Sequence, residues 1–425
     1  MKATGFGLSD PGCVRTSNED FFLIDKDLGL YIVCDGVSGH AAGDTASQLC
    51  AKSIRHTIWQ NLSVMEQFSE EKSEAHIEKL LQVVKKAIQE ANRRIFEMAE
   101  ADAKKKGMCT TLVMLLFLPD RAILAHVGDS RVYLKRGGKT HLLTTDHNVA
   151  SDMKKQGAWQ PGQGEVSPYG HVLTRAVGFS EFVQPEILPL EVITDDTFIL
   201  CSDGLTDYVD TEKLNLLLTE NPPETVVKNL VEYAKKQGGK DNITVIGIGT
   251  ESDAPASVAL EVLKKSEILQ KMPLFRYLNY QELMKLLSIV KIQKLPPGYF
   301  LMKEGAQADD MFILVSGKTE ILKDGQVVTE RTGGDTLGEM GVFDSAPRSA
   351  SVRTLSDCVA MQLGRAELFG LFKLDAQIAV KFLWSLNQEL NARLRDTTKN
   401  LAQSRAHQNL TKPTPEIDLP FSLND

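Results

Sequence analysis

Three stretches of this chain run an apolar strand pattern straight into an aspartate: Tyr31–His40 (YIVCDGVSGH), Leu124–Ser130 (LAHVGDS) and Phe198–Gly204 (FILCSDG). With Asp20 in NED and Asp241 in GGKDN they form an ordered series of carboxylates, Asp20, Asp35, Asp129, Asp203 and Asp241. Hard cations such as Mg²⁺ and Mn²⁺ take oxygen donors, and the region has no HExxH, His pair or Cys pair that would favour zinc. Strand ends on a rigid sheet hold ligands more accurately than loops do. Taken singly, each Asp-Gly between apolar runs also reads as a hairpin turn. Five aspartates in one ordered series weaken that reading.

A second constellation lies at Gly334–Val352 (GDTLGEMGVFDSAPRSASV), where Gly338-Glu339 opens a short helix and Arg348-Ser349 follow nine and ten residues after the glutamate. Helix N-terminal amides attract phosphate, an arginine can pair with it, and a carboxylate can accept a hydroxyl hydrogen bond. Together these groups suit a ribose cyclic phosphate. A turn with a surface Glu-Arg pair explains the same spacing without a ligand.

The elements that must position these groups are readable in outline. Phe6–Leu30 reads as a meander of short strands, and Ala41–Asn61 and Glu74–Lys106 carry helical spacing. Strand patterns resume at Thr110–Leu118, Ala122–Val127, Arg131–Lys135, Thr197–Cys201 and Ile243–Gly249, with helical stretches at Thr211–Leu218 and Glu224–Gln237. Asp152–Gly170 lacks periodicity and reads as a surface flap, the place where substrate choice would lie.

Glu251–Ser257 (ESDAPAS) reads as a linker, Val258–Gln270 and Tyr280–Leu287 as helices, and the glycine-punctuated short strands beyond as a small β-barrel or roll. Ala379, Leu383, Leu386, Leu390 and Leu394 trace one stripe of a long helix, either its packing face or a seam between two chains. The Pro-bearing end from Thr411 reads as disordered.

Composition narrows the classes. At 425 residues the chain exceeds the usual size of one core, so more than one domain is expected. A net charge of −8 argues against a nucleic-acid surface, which needs clustered Lys and Arg. The longest apolar run, Leu112–Leu118, is too short to cross a bilayer, and the N-terminus lacks a signal-peptide core, so a soluble cytoplasmic chain without a membrane partner is expected. Six scattered cysteines without CxxC spacing read as reduced core thiols.

The motif series resembles the metal-dependent protein serine/threonine phosphatases of the PPM, or type 2C, family in their bacterial form. It runs in order through Val14-Arg15, Asn18-Glu19-Asp20, Asp35-Gly36-Val37-Ser38-Gly39-His40, Cys109-Thr110-Thr111, Val127–Arg131, Asp146-His147, Leu173–Gly178, Ser202–Asp207 and Asp241–Thr244. The resemblance implies an α+β fold, two stacked antiparallel sheets flanked by helix pairs, with two metal ions, Mn²⁺ or Mg²⁺, in a cleft at one end. By similarity Asp35 and the Gly36 carbonyl hold the pair, Asp20, Asp203 and Asp241 complete the shell, and Glu19 acts through water. Asp129 and Asp207 match the positions of a third, looser metal, and Arg15 matches the arginine that grips phosphate. Some members carry a histidine directly after the Asp-Gly as candidate general acid; Val37 stands there in this chain, which leaves that acid unassigned. His40 and the other histidines read as packing or hydrogen-bonding residues.

The second constellation resembles the phosphate-binding cassette of cyclic nucleotide-binding domains. Lys271–Phe275 (KMPLF), Pro297-Gly298, Glu304-Gly305 and Phe312–Gly317 match earlier landmarks of that family. By similarity Glu339 holds the ribose 2′-hydroxyl and Arg348 the cyclic phosphate of cAMP or cGMP, with Gly338, Met340 and Ser349 supplying nearby contacts. The expected organisation is a phosphatase domain over 1–250, a linker over 251–262, a cyclic nucleotide-binding β-roll with flanking helices over 263–405, and a tail over 406–425. The expected function is hydrolysis of phosphoserine and phosphothreonine in proteins under nucleotide control, with a homodimer through the C-terminal helix in view. The alternatives are a phosphatase-fold scaffold, or an active phosphatase whose second domain is a ligand-free docking module.

Overall fold

The computed structural model describes residues 1–37, 42–71, 73–155, 169–218, 222–251, 262–263, 269–344 and 346–410. The first part of the chain runs β1 (Lys2–Asp10), β2 (Asp20–Asp25), β3 (Leu30–Val37), α1 (Gly43–Gln60), α2 (Leu62–Glu70), α3 (Glu74–Ala101), β4 (Cys109–Thr110), β5 (Leu112–Phe117) and β6 (Arg121–Val127). It continues through β7 (Arg131–Arg136), β8 (Lys139–Leu142), α4 (Val149–Lys155), β9 (Glu186–Glu191), β10 (Thr197–Cys201), α5 (Asp203–Thr206), α6 (Thr211–Leu217), α7 (Pro223–Lys236) and β11 (Ile243–Glu251).

Two antiparallel sheets stack, one ordered β1-β11-β10-β7-β8 and the other β2-β3-β5-β6-β9 with β4 on β3. The period of two decides which side chain goes where. On β3, Tyr31 and Val33 point into the space between the sheets, against Phe198, Leu200, Ile246 and Ile248. Leu30, Ile32 and Cys34 point outward under α1 and α3. Both faces are covered, which is why the sequence reads YIVC without alternation. Tyr31, Phe117 and Phe198 meet edge to face with ring centroids 5.6 Å apart. The outer face of the other sheet, with Ile199, Cys201 and Val245, is covered by Leu214 of α6 and Val227, Leu230 and Val231 of α7.

The expected meander does not form. β1 pairs along its length with β11, more than 230 residues away, while β2 pairs with β3 in the opposite sheet. The connection between β1 and β2 therefore crosses the open edge of the sandwich and carries Arg15 and Glu19 there. The expected strand at Thr110–Leu118 breaks at Thr111, and α2 is an additional helix. Of the expected flap, residues 156–168 lie outside the described residues, and Asp152–Lys155 end α4. Ser38, Gly39, His40, most of the linker, the Val258–Gln270 helix apart from 262–263 and 269–270, and the end from Thr411 also lie outside them.

The second part opens with α8 (Tyr280–Leu287), whose N-terminus is a reciprocal capping box: Glu282 N donates to Asn279 Oδ1 and Asn279 N to Glu282 Oε2, both at 2.8 Å. Strands β12 (Lys291–Leu295), β13 (Phe300–Met302), β14 (Asp310–Ser316), β15 (Lys318–Lys323), β16 (Gln326–Thr332) and β17 (Thr336–Leu337) follow. Then come α9 (Glu339–Asp344), β18 (Ser351–Thr354), β19 (Cys358–Gly364), α10 (Arg365–Leu374) and α11 (Ala376–Leu410). The strands form two four-stranded sheets, β12-β19-β14-β17 and β13-β18-β15-β16, closed on a core that includes Phe312, Leu314, Leu337 and Val352. Between β15 and β16, Asp324 and Gly325 both have positive φ (50° and 75°), as a two-residue hairpin loop requires.

On α11 the packed row is Ile378, Phe382 and Leu386, against Phe275 and Leu371. Of the expected stripe only Leu386 is buried there; Leu383, Leu390 and Leu394 face solvent. The helix also runs past residue 405 to Leu410. All six cysteines are free thiols, five of them buried. Among the described residues no helix is long and apolar enough to cross a membrane.

Candidate functional site

The aspartates converge where the two sheets meet at one edge of the sandwich. Asp20 and Asp35 are direct cross-strand partners on β2 and β3. Asp203 opens α5 at the end of β10, Asp129 lies in the turn after β6, Asp207 follows α5, and Asp241 precedes β11. Backbone hydrogen bonds fix their mounts. Asp35 N donates to Thr111 Oγ1 at 2.9 Å and its carbonyl accepts from Thr110 Oγ1 at 2.8 Å. Thr111 Oγ1 also meets Ser130 Oγ at 2.7 Å, tying the Asp35 strand to the Asp129 turn.

The electrostatics show how close these groups are. Burial pushes the Asp20 carboxyl up to about 7, against hydrogen bonds from Thr244 and Ser202 that lower it, and the charges of Asp203 and Asp241 add to the rise. Asp35 is held well above the usual carboxylate range by burial and by Asp20, Asp203, Asp129 and Asp241. Asp129 is pushed up to about 7 by burial and then by Asp203, and Asp207 is raised for the same reasons. Carboxylates that oppose one another's ionisation match a site that brings positive charge with its ligand.

Two further details fit hard cations. Oδ1 of Asp20 and Oδ1 of Asp203 are buried without a hydrogen-bond partner. The donor set is oxygen throughout, as Mg²⁺ and Mn²⁺ prefer. A Cβ on Gly36 would lie 2.2 Å from the Gly43 carbonyl, and one on Gly43 would lie 2.3 Å from Glu19 Oε2 and 2.8 Å from the Gly36 carbonyl. Glu19, Gly36 and Gly43 thus enclose a space that a side chain would fill.

Arg15 sits at the rim with its side chain 57% exposed, its Nη2 2.7 Å from Asp241 Oδ2. Every acid expected at the site is therefore brought together, and Arg15 with them. Sequence reasoning assigned no role to several groups that hold the site. Ser202 Oγ donates to Asp20 Oδ2 at 2.7 Å, and Asn242 Oδ1 accepts from Glu19 N at 2.9 Å. Both flank the motif aspartates, a signal that was present. His171, read as a packing or hydrogen-bonding residue, lies at this site, 3.7 Å from Asp203 Oδ2, and that carboxylate raises it to about 9. No spacing in the sequence pointed to it.

The second constellation also assembles. α9 begins at Glu339, as expected. Glu339 and Arg348 are each 7% exposed. Arg348 Nη1 donates to the Gly338 carbonyl at 3.1 Å and Nη2 to the Asp310 carbonyl at 2.7 Å, and the guanidinium pairs with the Asp310 carboxylate. Gly338 has φ +72°, and a Cβ there would lie 2.4 Å from Arg348 Nη1, so this position requires glycine. Glu339 Oε1 accepts from Arg393 Nη1 of α11 at 2.6 Å, and Arg393 Nη2 reaches Thr336 Oγ1 at 2.9 Å. Met340 and Ser349 are exposed beside these charges. Arg393 was not anticipated, because it lies 54 residues beyond Glu339.

The protein phosphatase 2C family model matches residues 16–243, more than half of the chain. The chain belongs to the protein phosphatase 2C family. A cyclic nucleotide-binding domain model matches residues 292–375. Protein phosphatase PhpP of Streptococcus pneumoniae is 30% identical over 252 residues, covering 58% of this chain and 98% of that protein. Serine/threonine phosphatase stp of Listeria innocua is 33% identical over 243 residues, covering 56% and 92%. Among solved structures, the serine/threonine phosphatase PstP/Ppp of Mycobacterium tuberculosis is similar with a TM-score of 0.52 and 30% identity, covering 59% of this chain and 100% of that one. This type 2C chain is accordingly an enzyme, a protein serine/threonine phosphatase, joined to a cyclic nucleotide-binding domain.

Proposed function

We propose that this phosphatase hydrolyses phosphoserine and phosphothreonine in proteins with two divalent cations, Mn²⁺ or Mg²⁺. Asp35, the Gly36 carbonyl, Asp20, Asp203 and Asp241 would hold them, with Glu19 acting through water and Asp129 and Asp207 serving a third position. The observation that carries this reading is the pair of unpartnered buried oxygens, Asp20 Oδ1 and Asp203 Oδ1, at a site where burial and the neighbouring acids raise the Asp20 and Asp35 carboxyls. When bound, divalent cations neutralise the phosphate dianion and acidify the attacking water. Arg15 orients the phosphate: its pairing with Asp241 occupies one edge of a planar fork and leaves other donors for phosphate oxygens. Ser202 and Asn242 hold the acids in place. Val37 is exposed and offers no proton to the leaving oxygen.

We further propose that cAMP or cGMP bound at Gly338, Glu339, Met340, Arg348 and Ser349 changes the phosphatase rate. Both charges that this ligand needs are buried beside Gly338, and a ribose cyclic phosphate must share or replace their present partners, Asp310 and Arg393. Displacing Arg393 would be felt along α11. A ligand shifts activity only through a difference in affinity between two conformations. The test is phosphopeptide turnover by the full chain with and without saturating cAMP and cGMP, alongside calorimetry. A saturable change in rate is expected. Binding without any change overturns the regulation, and no binding at all supports a ligand-free docking module instead.

We assign residues 1–250 to the phosphatase domain, 251–262 to a linker, and the chain from 263 to the nucleotide-binding domain, with α11 as its last helix. A second copy is a further proposal, supported by the exposed apolar row Val380, Leu383, Leu390 and Leu394. Light scattering should then report a dimer, and a monomer at micromolar concentration overturns it.

A further inference from the structure

α8 of the nucleotide-binding domain grips both its own long helix and the phosphatase. Toward the phosphatase, Tyr280 stacks on His141 with ring centroids 3.8 Å apart, and Gln281 Oε1 accepts from Thr145 Oγ1 at 2.7 Å. Lys285 Nζ lies 3.1 Å from Glu186 Oε2 on β9. The same ammonium lies 3.1 Å from Asp375 Oδ2, the residue before α11. Lys381 of α11 is bonded to both carboxylate oxygens of Glu282 on α8, at 2.7 and 2.8 Å. α8 and α11 are thus fastened at two points, and α11 carries the Arg393 that holds Glu339.

On the phosphatase side the chain of contacts continues inward. Glu186 Oε1 is 3.1 Å from His147 Nε2. His147 is fully buried, its Nδ1 accepts from Gly128 N–H at 3.2 Å, and its backbone N–H donates to the Gly128 carbonyl at 3.0 Å. Gly128 immediately precedes Asp129. It has φ +103° and packs so closely on Thr111 that a Cβ would lie 2.8 Å from that side chain. Thr111 is the residue whose hydroxyl receives Asp35 N–H.

His126, His147 and Glu186 could be taken for a metal site, since one ligand atom from each lies within 4.8 Å of the others and His126 Nδ1 is buried without a partner. Two observations oppose that. The Gly128 N–H aimed at His147 Nδ1 puts the ring proton on Nε2, toward Glu186. The Lys285 ammonium occupies the other oxygen of the same carboxylate. The group is a hydrogen-bonded chain rather than a cation's donor set.

We propose that Lys285, Glu186 and His147 are positioning residues through which the nucleotide-binding domain holds the Asp129 loop against Asp35. Glu186, Lys285 and Asp375 line a cavity of about 960 Å³ between the domains, whose wall also includes Ile187, Met284 and Leu374, so the joint has room to shift. A change at Glu339 that moves α11 is then transmitted by Asp375 and Lys285 to the metal-binding edge. This last step rests on the regulatory reading above; the positioning itself does not.

The experiment uses the full chain, with manganese activation curves on a phosphothreonine peptide measured first without nucleotide, for wild type, Lys285→Met, Lys285→Arg and Glu186→Gln. Lys285→Met and Glu186→Gln should raise the manganese concentration for half-maximal activity by about 2- to 30-fold, the span of couplings carried through packed networks. The peptide KM at saturating manganese should stay at the wild-type value, and Lys285→Arg should restore the curve. Unchanged manganese dependence in both variants overturns the proposal. So does a fall in kcat alone that Lys285→Arg does not rescue, because that marks a merely structural role. The wild type is then compared with and without cAMP and cGMP. Shifted manganese curves in a protein whose wild type ignores nucleotide uphold the positioning chain and overturn only the regulatory reading. A wild-type nucleotide response that disappears in Lys285→Met, with nucleotide affinity intact by calorimetry, supports both.

Discussion

Replacing Gly43 by alanine separates the chemistry of the site from the stability of the fold. Gly43 is the buried first residue of α1, and a Cβ there would lie 2.3 Å from Glu19 Oε2 and 2.8 Å from the Gly36 carbonyl. Ordinary contact begins near 3.4 Å, so the Glu19 carboxylate must retreat by about 1 Å and the Gly36 carbonyl by roughly half as much. Glu19 can rotate away. Gly36 has less freedom, because its N–H donates to the Glu19 carbonyl at 3.2 Å and it pairs with Thr110 across β4. Displacing groups at a reacting centre by about 1 Å can cost on the order of a hundredfold in rate. The helix, by contrast, prefers alanine to glycine by up to about 1 kcal/mol, which offsets part of the clash. The expected result is a fall of about a hundredfold in kcat/KM on a phosphothreonine peptide, with manganese affinity lowered and the melting temperature moved by no more than about 4 °C. Wild-type kcat/KM in a folded Gly43→Ala protein would refute the assignment of Glu19 and Gly36 to the metal edge.

Two predictions concern stability. His126 is buried, which pushes its imidazole down from 6.5 to about 4, and His147 adds to the fall. The unfolded chain takes up a proton near 6.5 that the folded chain refuses until about 4, so stability is complete above that window and is lost as pH falls through it, by about 1.4 kcal/mol per unit. Other groups titrate in the same range, so the test is the difference between two urea-melt series: stability should fall more steeply with decreasing pH in wild type than in His126→Asn, and an identical slope in both would contradict the burial argument. Arg136 and Asp196 are 3% and 1% exposed, with Nε 2.8 Å from Oδ1, and Arg136 also donates to the Glu191 carbonyl at 2.7 Å. Asp196→Ala leaves a buried guanidinium unpaired and should cost about 3–5 kcal/mol in chemical denaturation; a loss below about 1 kcal/mol would count against it.

What the sequence made legible follows from what is local. Asp35 and Asp203 stood out because β3 and β10 are covered on both faces, so their apolar runs end abruptly at a carboxylate. β9 was missed because Pro189 lies within it, a residue tolerated only because β9 is the edge strand beside β6. β1 was placed with its sequence neighbour because no local pattern announces a partner at the far end of the domain. On α11 the apolar residues occupy more than one face, and only packing against Phe275 and Leu371 selects Ile378, Phe382 and Leu386. Gly43, His171, Glu186 and Lys285 carried no signal, and the Asp146-His147 motif marked His147 without showing its partners, since these roles arise from approach in space between residues far apart in order. Arg348 and Glu339 were legible as a ligand's charges, while their present partners Asp310 and Arg393 were not.

The acids around Asp35 are proposed to hold divalent cations for phosphate hydrolysis, and metal removal tests this directly. Full-length wild type, Asp35→Asn and Asp203→Asn should be freed of metal by chelation, returned to manganese, and assayed on a phosphothreonine peptide with calorimetric titration of manganese in parallel. Wild type should lose its activity on chelation and regain it with manganese, and both variants should bind manganese more weakly and remain at the chelated baseline. Hydrolysis that survives chelation in wild type, or wild-type rates in Asp203→Asn, would contradict that proposal.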